Sequence, residues 1–240
     1  MKTKALLLSV LFITSISCAQ SWKKVSGNGN MTTETRTTSD YDGISCAGSF
    51  DYILVSGNEG KITLEGEENL LDYIITEVKK GKLVIKTENG INLKSSIGKS
   101  IKITIPFQDI NSVSLSGSGD LWTEDTVSST NLEVNLAGSG DMNLDIQATS
   151  IESNIAGSGD IKLSGRTTNL EASIAGSGDF EAFGLQADNT EVSIAGSGDA
   201  QVVSNKTIKG RVSGSGDIAY KGNPEKEDTK VSGSGTIKGK

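Results

Sequence analysis

The tetrapeptide Gly-Ser-Gly-Asp occurs at 117–120, 138–141, 157–160, 176–179, 196–199 and 214–217, and a Gly-Ser-Gly-Thr follows at 233–236. The first glycines are separated by 21, 19, 19, 20, 18 and 19 residues. A period this regular means that each repeat is one coil of a solenoid, unable to bury its apolar face alone and obliged to stack on its neighbours. Parity along the repeats says what kind of coil. Leu132, Val134, Leu136, Met142, Leu144 and Ile146 all fall on even positions, as do Gly138 and Gly140 between them. Alternation with period two is the mark of strands with one buried face. The phase holds through the motif, so both glycines are expected to face inward and the serine and aspartate outward. Each repeat then reads as strand, glycine corner, strand, polar corner. The second corner is marked by pairs such as Thr130-Asn131, Thr149-Ser150, Thr168-Asn169 and Asn189-Thr190. Parallel stacking of such coils gives an all-β fold, a β-helix rising roughly 4.8 Å per coil.

Composition narrows the core and the chemistry. Aromatic residues make up 5% of the chain, so the core is expected to be narrow and built from small branched side chains. The net charge of −7 leaves no basic footprint for a nucleic-acid partner. Histidine is absent, which removes the commonest general base and the commonest transition-metal ligand.

Three regions are expected. Residues 1–19 read as an export signal: Lys2 and Lys4 precede the apolar run 5–13, too short to span a bilayer as an anchor, and Ser17-Cys18-Ala19 fits a cleavage site. Lipid attachment at Cys18 is the alternative, and either route takes the protein out of the cytoplasm. Residues 20–110 form a less regular β-rich region with outer strands and a cap, and residues 111–240 form the repeat array. In the first of these, Gly48-Ser49-Phe50-Asp51 is a degenerate copy of the motif, with Phe50 in place of the second glycine. Lys61–Glu65, Lys82–Thr87 and Ile101–Ile105 read as strands by alternation, Glu67–Lys79 as one short helix, and Asn30–Ser39 as an outer strand or a flexible arm. Lys79-Lys80 and Glu225-Lys226-Glu227-Asp228 read as solvated loops, the latter a longer corner after Pro224.

The export signal, the Gly-Ser-Phe-Asp-Tyr segment, Gly90-Ile91-Asn92 and the serial Gly-Ser-Gly-Asp repeats resemble the head GIN domain family of auto-transporter adhesins, common in Bacteroidota. The resemblance runs from about Asp42 to the end of the chain. It implies a right-handed parallel β-helix similar to pectin-lyase-like proteins but without their catalytic residues, and a role in adhesion.

The chemistry that the repeats offer is limited. Asp120, Asp141, Asp160, Asp179, Asp199 and Asp217 are expected to form an outward ladder, one per coil. Stacked carboxylates repel unless hydrogen-bonded, hydrated or bridged by cations. The simpler expectation is that each aspartate caps its own turn. A calcium ladder is the alternative, but calcium repeats of this type carry a Gly-rich turn every nine residues and half of such a site is missing here. No cofactor is expected. Trp122 falls on an outward position beside the first motif and is a candidate contact residue. Cys46 falls on the inward parity and reads as a small buried hydrophobe, with no histidine to activate it. The expected function is therefore non-catalytic: an exported surface or envelope protein presenting repetitive polar faces to a glycan or a cell-surface protein. A polysaccharide-active enzyme of β-helix type, and an envelope component self-associating through its coil ends, are the alternatives.

Overall fold

A computed structural model of the chain describes residues 22–240, so the expected export signal, the expected cleavage site and Cys18 lie outside the described residues. The repeat array is a parallel β-helix in which each coil pairs in register with the next. Met142–Gly157 pairs with Ile161–Gly176, and that strand with Phe180–Gly196, so that Gly138, Gly157, Gly176, Gly196, Gly214 and Gly233 form one column. Thr130, Thr149 and Thr168 drop out of the pairing at the polar corner, where the chain bends. Inside, the columns are narrow. Leu136, Ile155, Ile174 and Ile194 stack on one side, and Met142, Ile161, Phe180 and Ala200 on the other, all at most 2% exposed. Each Leu, Ile, Met or Phe of these columns stabilises the stack by about 1.5–3 kcal/mol on burial.

Departures from the nineteen-residue period are local. The twenty-residue coil holds one extra residue, Phe183, at a register shift between the pairs Lys162–Glu181 and Ser164–Gly184. The bulged ring lies under two lysines, with Lys221 Nζ 4.1 Å and Lys240 Nζ 5.7 Å from its centroid. The longest interval comes from two extra residues in the turn after Trp122, because Trp122 pairs with Asn143 and Val127 with Ile146.

The N-terminal region joins the same stack out of chain order. Gly43–Gly48 and Asp51–Ser56 form a coil that pairs on one side with Ser112–Gly117 and Leu121–Thr123. On its other side it pairs with Lys82–Thr87 and Lys102–Phe107, so the end coil is made by later residues. The stack is then closed by antiparallel strands. Lys61–Glu67 pairs with Lys102–Phe107 and with the outer strand Met31–Thr37, and Ile74–Lys79 pairs with Lys82–Thr87. The expected helix over Glu67–Lys79 is cut to the single turn Glu68–Leu71, because Ile74–Lys79 is captured by the open edge of Lys82–Thr87. Lys79-Lys80 lies at the tight turn between those two strands, where Lys80 and Gly81 take positive φ. Strands Lys23–Ser26 and Ile91–Lys94 form a separate two-stranded parallel layer on the side of this region.

At the other end, Lys226–Gly233 is a strand, so the expected loop at 225–228 is shorter than its sequence suggests. Glu227 and Thr229 there occupy the inward register positions of Ile208 and Gly210, and Tyr220 Oη donates to Glu227 Oε1 at 2.9 Å. An inward-pointing carboxylate on an edge strand opposes the addition of a further strand.

Candidate functional site

The Gly-Ser-Gly-Asp corner is held by the coil before it. The carbonyl of Gly138 accepts from Ser158 N (2.8 Å) and Gly159 N (3.1 Å), and the same pair of bonds recurs at Gly48, Gly117, Gly157, Gly176 and Gly214. Two successive N–H groups can converge on one carbonyl because the first glycine takes positive φ, 137° at Gly157. The glycines are demanded for a second reason. A β-carbon at Gly157 would lie 2.2 Å from Gly138 O, and one at Gly159 would lie 2.0 Å from Gly140 O. The missing side chains therefore aim along the stack at the neighbouring backbone. Parity predicts that both point into the core; the second glycine is buried and the first only half-buried.

The aspartate ladder exists and does something other than capping its own turn. Asp160 Oδ1 accepts the backbone N–H of Asp179 at 2.8 Å, Asp179 that of Asp199 at 2.8 Å, and Asp199 that of Asp217 at 2.8 Å. Asp120 and Asp141 serve Asp141 and Asp160 in the same way, at 3.2 and 3.0 Å. Each carboxylate thus supplies an acceptor for the N–H of the coil above it. The column ends at Thr236, whose N–H and hydroxyl both donate to Asp217 Oδ1. Among the described residues, no group of three or more Asp, Glu, Cys or His side chains forms a metal-binding cluster.

The other sites expected from sequence are scattered. Trp122 is half-buried, in register with Ile53 and Asn143 on the strand after the glycine corner. Cys46 is a free thiol, 1% exposed, and burial holds its pKa well above the ordinary thiol value.

A continuous polar surface lies on the strand before the corner. Glu133, Glu152, Glu171 and Glu191 stand in one in-register column, followed by Lys209, whose Nζ sits 2.5 Å from Glu191 Oε1. Asn131, Ser150, Asn169 and Asn189 form the column on one side of it. Their side chains link coil to coil, with Asn189 Nδ2 to Asn169 Oδ1 at 3.0 Å and Asn169 Nδ2 to Ser150 Oγ at 3.3 Å. On the other side Asn135 donates to Glu133 at 2.8 Å, and Asn154 donates to Asn135 at 3.1 Å. Part of this surface lines an open groove of about 1100 Å³. The glutamates are absent from the sequence expectation, yet they stand five residues before every first glycine from Gly138 to Gly196. Aligning the repeats on that glycine finds them. Beside the corner runs an apolar trench of about 740 Å³ floored by Ala137, Ala156, Ala175 and Ala195, with Arg211 and Lys230 at one end.

A stack of glycine-locked coils with continuous outward columns and open grooves defines a β-helix repeat protein. Within that class the chain belongs to the family described as "putative auto-transporter adhesin, head GIN domain", which matches residues 40–224. Among solved structures it is similar to a "putative adhesin" from Bacteroides fragilis, with 25% identity and a TM-score of 0.81 over 90% of this chain and 100% of that one. It is also similar to a "putative lipid binding protein" from Parabacteroides distasonis, with 29% identity and a TM-score of 0.75 over 91% of this chain and 100% of that one. A "putative adhesin" from Parabacteroides merdae shares the fold at 23% identity and a TM-score of 0.72, over 91% of this chain and 99% of that one. No curated protein matches the chain.

Proposed function

We propose that the protein is an exported, non-catalytic adhesin that holds a glycan or a cell-surface protein against its flat polar face. One observation carries this reading. The Glu133–Glu152–Glu171–Glu191 column, flanked by asparagines and serines, repeats the same hydrogen-bonding groups at the coil spacing along an open groove. A repeating ligand can meet such a face at several coils at once, and weak contacts then add through multivalency. Catalysis calls for a convergent pocket with a poised acid and base. The face instead spreads its carboxylates along the stack axis. The family and two of the three structural relatives named above carry adhesin names, which supports a surface role. The test is adhesion of beads carrying the protein to glycan arrays and bacterial cells. The double variant Glu152→Lys/Glu171→Lys should lose adhesion with an unchanged melting temperature. Equal adhesion by the two proteins, or none by the native one, would refute the reading.

A second reading has its own observation, the alanine-floored trench ending in Arg211 and Lys230. It would take an acyl chain with an anionic end, and the lipid-binding name of one relative points the same way. Loss of fatty-acid binding in Ala156→Glu would support it, and absence of such binding in the native protein would remove it. End-to-end assembly is the weaker reading, because a further coil would have to bury Glu227.

A further inference from the structure

The N-terminal region contains a cleft that neither the glutamate face nor the alanine-floored trench uses. It lies between the side layer, which carries Gly90-Ile91-Asn92, and the degenerate corner Gly48-Ser49-Phe50, and it measures about 860 Å³. Its position follows from the sequence. Phe50 takes the register position of Gly119, and the side layer lies against the corner where the glycine column begins. Two signatures that the repeat array leaves unexplained therefore face each other across one cavity.

The lining is unlike the rest of the molecule. The chain carries a net charge of −7, yet the cleft gathers Lys86, Lys94 and Lys99 against a single carboxylate, Glu88. Lys99 is engaged with the carbonyl of Gly29, whereas Lys86 and Lys94 enter no ion pair among the described residues. Trp22 is also part of the lining and is 58% exposed, an aromatic face available to a ligand. Ile91, Leu93 and Ile101 give the cleft an apolar component, and the amides of Asn89 and Asn92 are among its polar groups. A cavity of this size that combines apolar and aromatic walls with converging polar groups is a usual form of a small-ligand site.

We propose that this cleft binds an acidic oligosaccharide. The C–H face of a sugar ring stacks on an indole, its hydroxyls pair with amides, and a carboxylate or sulfate is met by lysine ammonium groups as point charges. A local excess of cations on an acidic protein also draws anionic ligands to this cleft and away from the glutamate face. The cleft differs in location and charge from the polar face and shares with the adhesin reading only the kind of partner.

The test is calorimetric titration of the mature chain with tetragalacturonate, sialyllactose and a heparin-derived hexasaccharide. Galactotetraose serves as the neutral comparator and phosphatidylglycerol vesicles as the membrane comparator. At least one acidic oligosaccharide should bind about tenfold more tightly than galactotetraose, and more weakly as salt rises. Trp22→Ala and Lys86→Gln/Lys94→Gln should each lower that affinity about tenfold, while Lys86→Arg/Lys94→Arg retains most of it. All of these residues are at least partly exposed, so matched melting curves are expected. Binding by none of the three acidic sugars overturns the proposal, and so does binding that the cleft variants leave unchanged. Vesicle binding without sugar binding overturns it in favour of a membrane contact, for which the fully exposed Ile97 beside Lys99 would be the inserting group. Glu152→Lys/Glu171→Lys should leave cleft binding intact, so failure of the cleft and failure of the adhesive face are read separately.

Discussion

The repeat array and the N-terminal region are parts of one stack, yet different interactions hold them. Between repeats, the four-residue corner repeats the same bonds one period away: the carbonyl of the first glycine takes N–H donors of the next corner, and the carboxylate takes the next aspartate N–H. In the N-terminal region the bonds are unique and long in sequence. Arg36 donates to the carbonyls of Leu71 and Ile74, Tyr41 Oη donates to Pro106 O, and Glu67 joins the segments at Gly29 and Ser96. Repetition makes the array cheap to specify, since one solution serves every coil. The end of the stack has no neighbour to copy, so it is closed by single contacts, and the separate side layer leaves a cleft beside it.

The sharpest way to break the comparison is to put a methyl group into each kind of glycine. In Gly159→Ala the new β-carbon would stand 2.0 Å from Gly140 O, and the pairing of neighbouring coils leaves that backbone no room to yield. We expect a loss of at least about 4 kcal/mol in urea unfolding, or failure to fold. Gly90→Ala meets nothing within 4 Å and suffers only from its positive φ of 79°. It should cost about 1 kcal/mol. Gly159 has no positive φ, so equal effects would show that coil-to-coil contact does not set the second glycine of the motif.

The next largest effect belongs to the other region. Glu67 is 1% exposed, and its carboxylate accepts from Gly29 N at 2.6 Å, Ser96 N at 2.7 Å and Ser96 Oγ at 2.6 Å. The Ser96 side chain, then the Ser96 and Gly29 N–H groups and the nearby Lys99, hold its pKa below the ordinary 4.5. A lowered pKa stabilises the folded state above the unfolded value and loses that stabilisation as pH falls through the folded one. Acidification below 4.5 should therefore release the segment around Gly29, seen as faster amide exchange there before any change in the repeats. Glu67→Gln should lower the melting temperature at neutral pH and flatten this acid response. An acid response that begins in the repeats would reverse the assignment.

A smaller effect tests the ladder. Asp160→Ala removes the acceptor for Asp179 N but leaves that N–H at an exposed edge that water can reach. The cost should be about 1 kcal/mol, and Asp160→Asn, which keeps an oxygen at that place, should recover most of it. Full recovery by asparagine would also show that the ladder needs an acceptor and not a charge. A stabilisation by calcium that depends on Asp160 would instead revive the metal reading.

The repeat period and the alternation around it made the coil, its narrow core and the burial of Cys46 legible before any coordinates. The aspartates were legible as a ladder, but not their partners, because a bond from one coil to the next depends on axial direction, and parity records only inside and outside. The glutamate column carried a signal, a fixed offset from the glycine, that inspection of the motif alone passes over. The N-terminal closure was least legible. Nothing in residues 43–107 states that the end coil is built from the later strands, since that order depends on pairing across the fold. Ile74–Lys79 likewise carries a helical pattern that an open strand edge overrides.

The smallest expected effect concerns the one coil of twenty residues. If Phe183 is a bulge tolerated by the stack, its deletion restores the period: Ala182 then stands against Leu163 and Gly184 against Ser164, as the flanking pairs already require. The loss is confined to the contacts of Lys221 and Lys240 with the ring, each worth about 0.5–1 kcal/mol at an exposed site. Part of that loss is offset by a ladder without interruption. The deletion variant should therefore unfold within about 1 kcal/mol of the native chain, with Phe183→Ala slightly less stable than the deletion because it keeps the bulge and loses the ring. A deletion that costs as much as Gly159→Ala would mean that the coil is built around its extra residue. The array would then be a set of individually fitted coils, as the N-terminal region is.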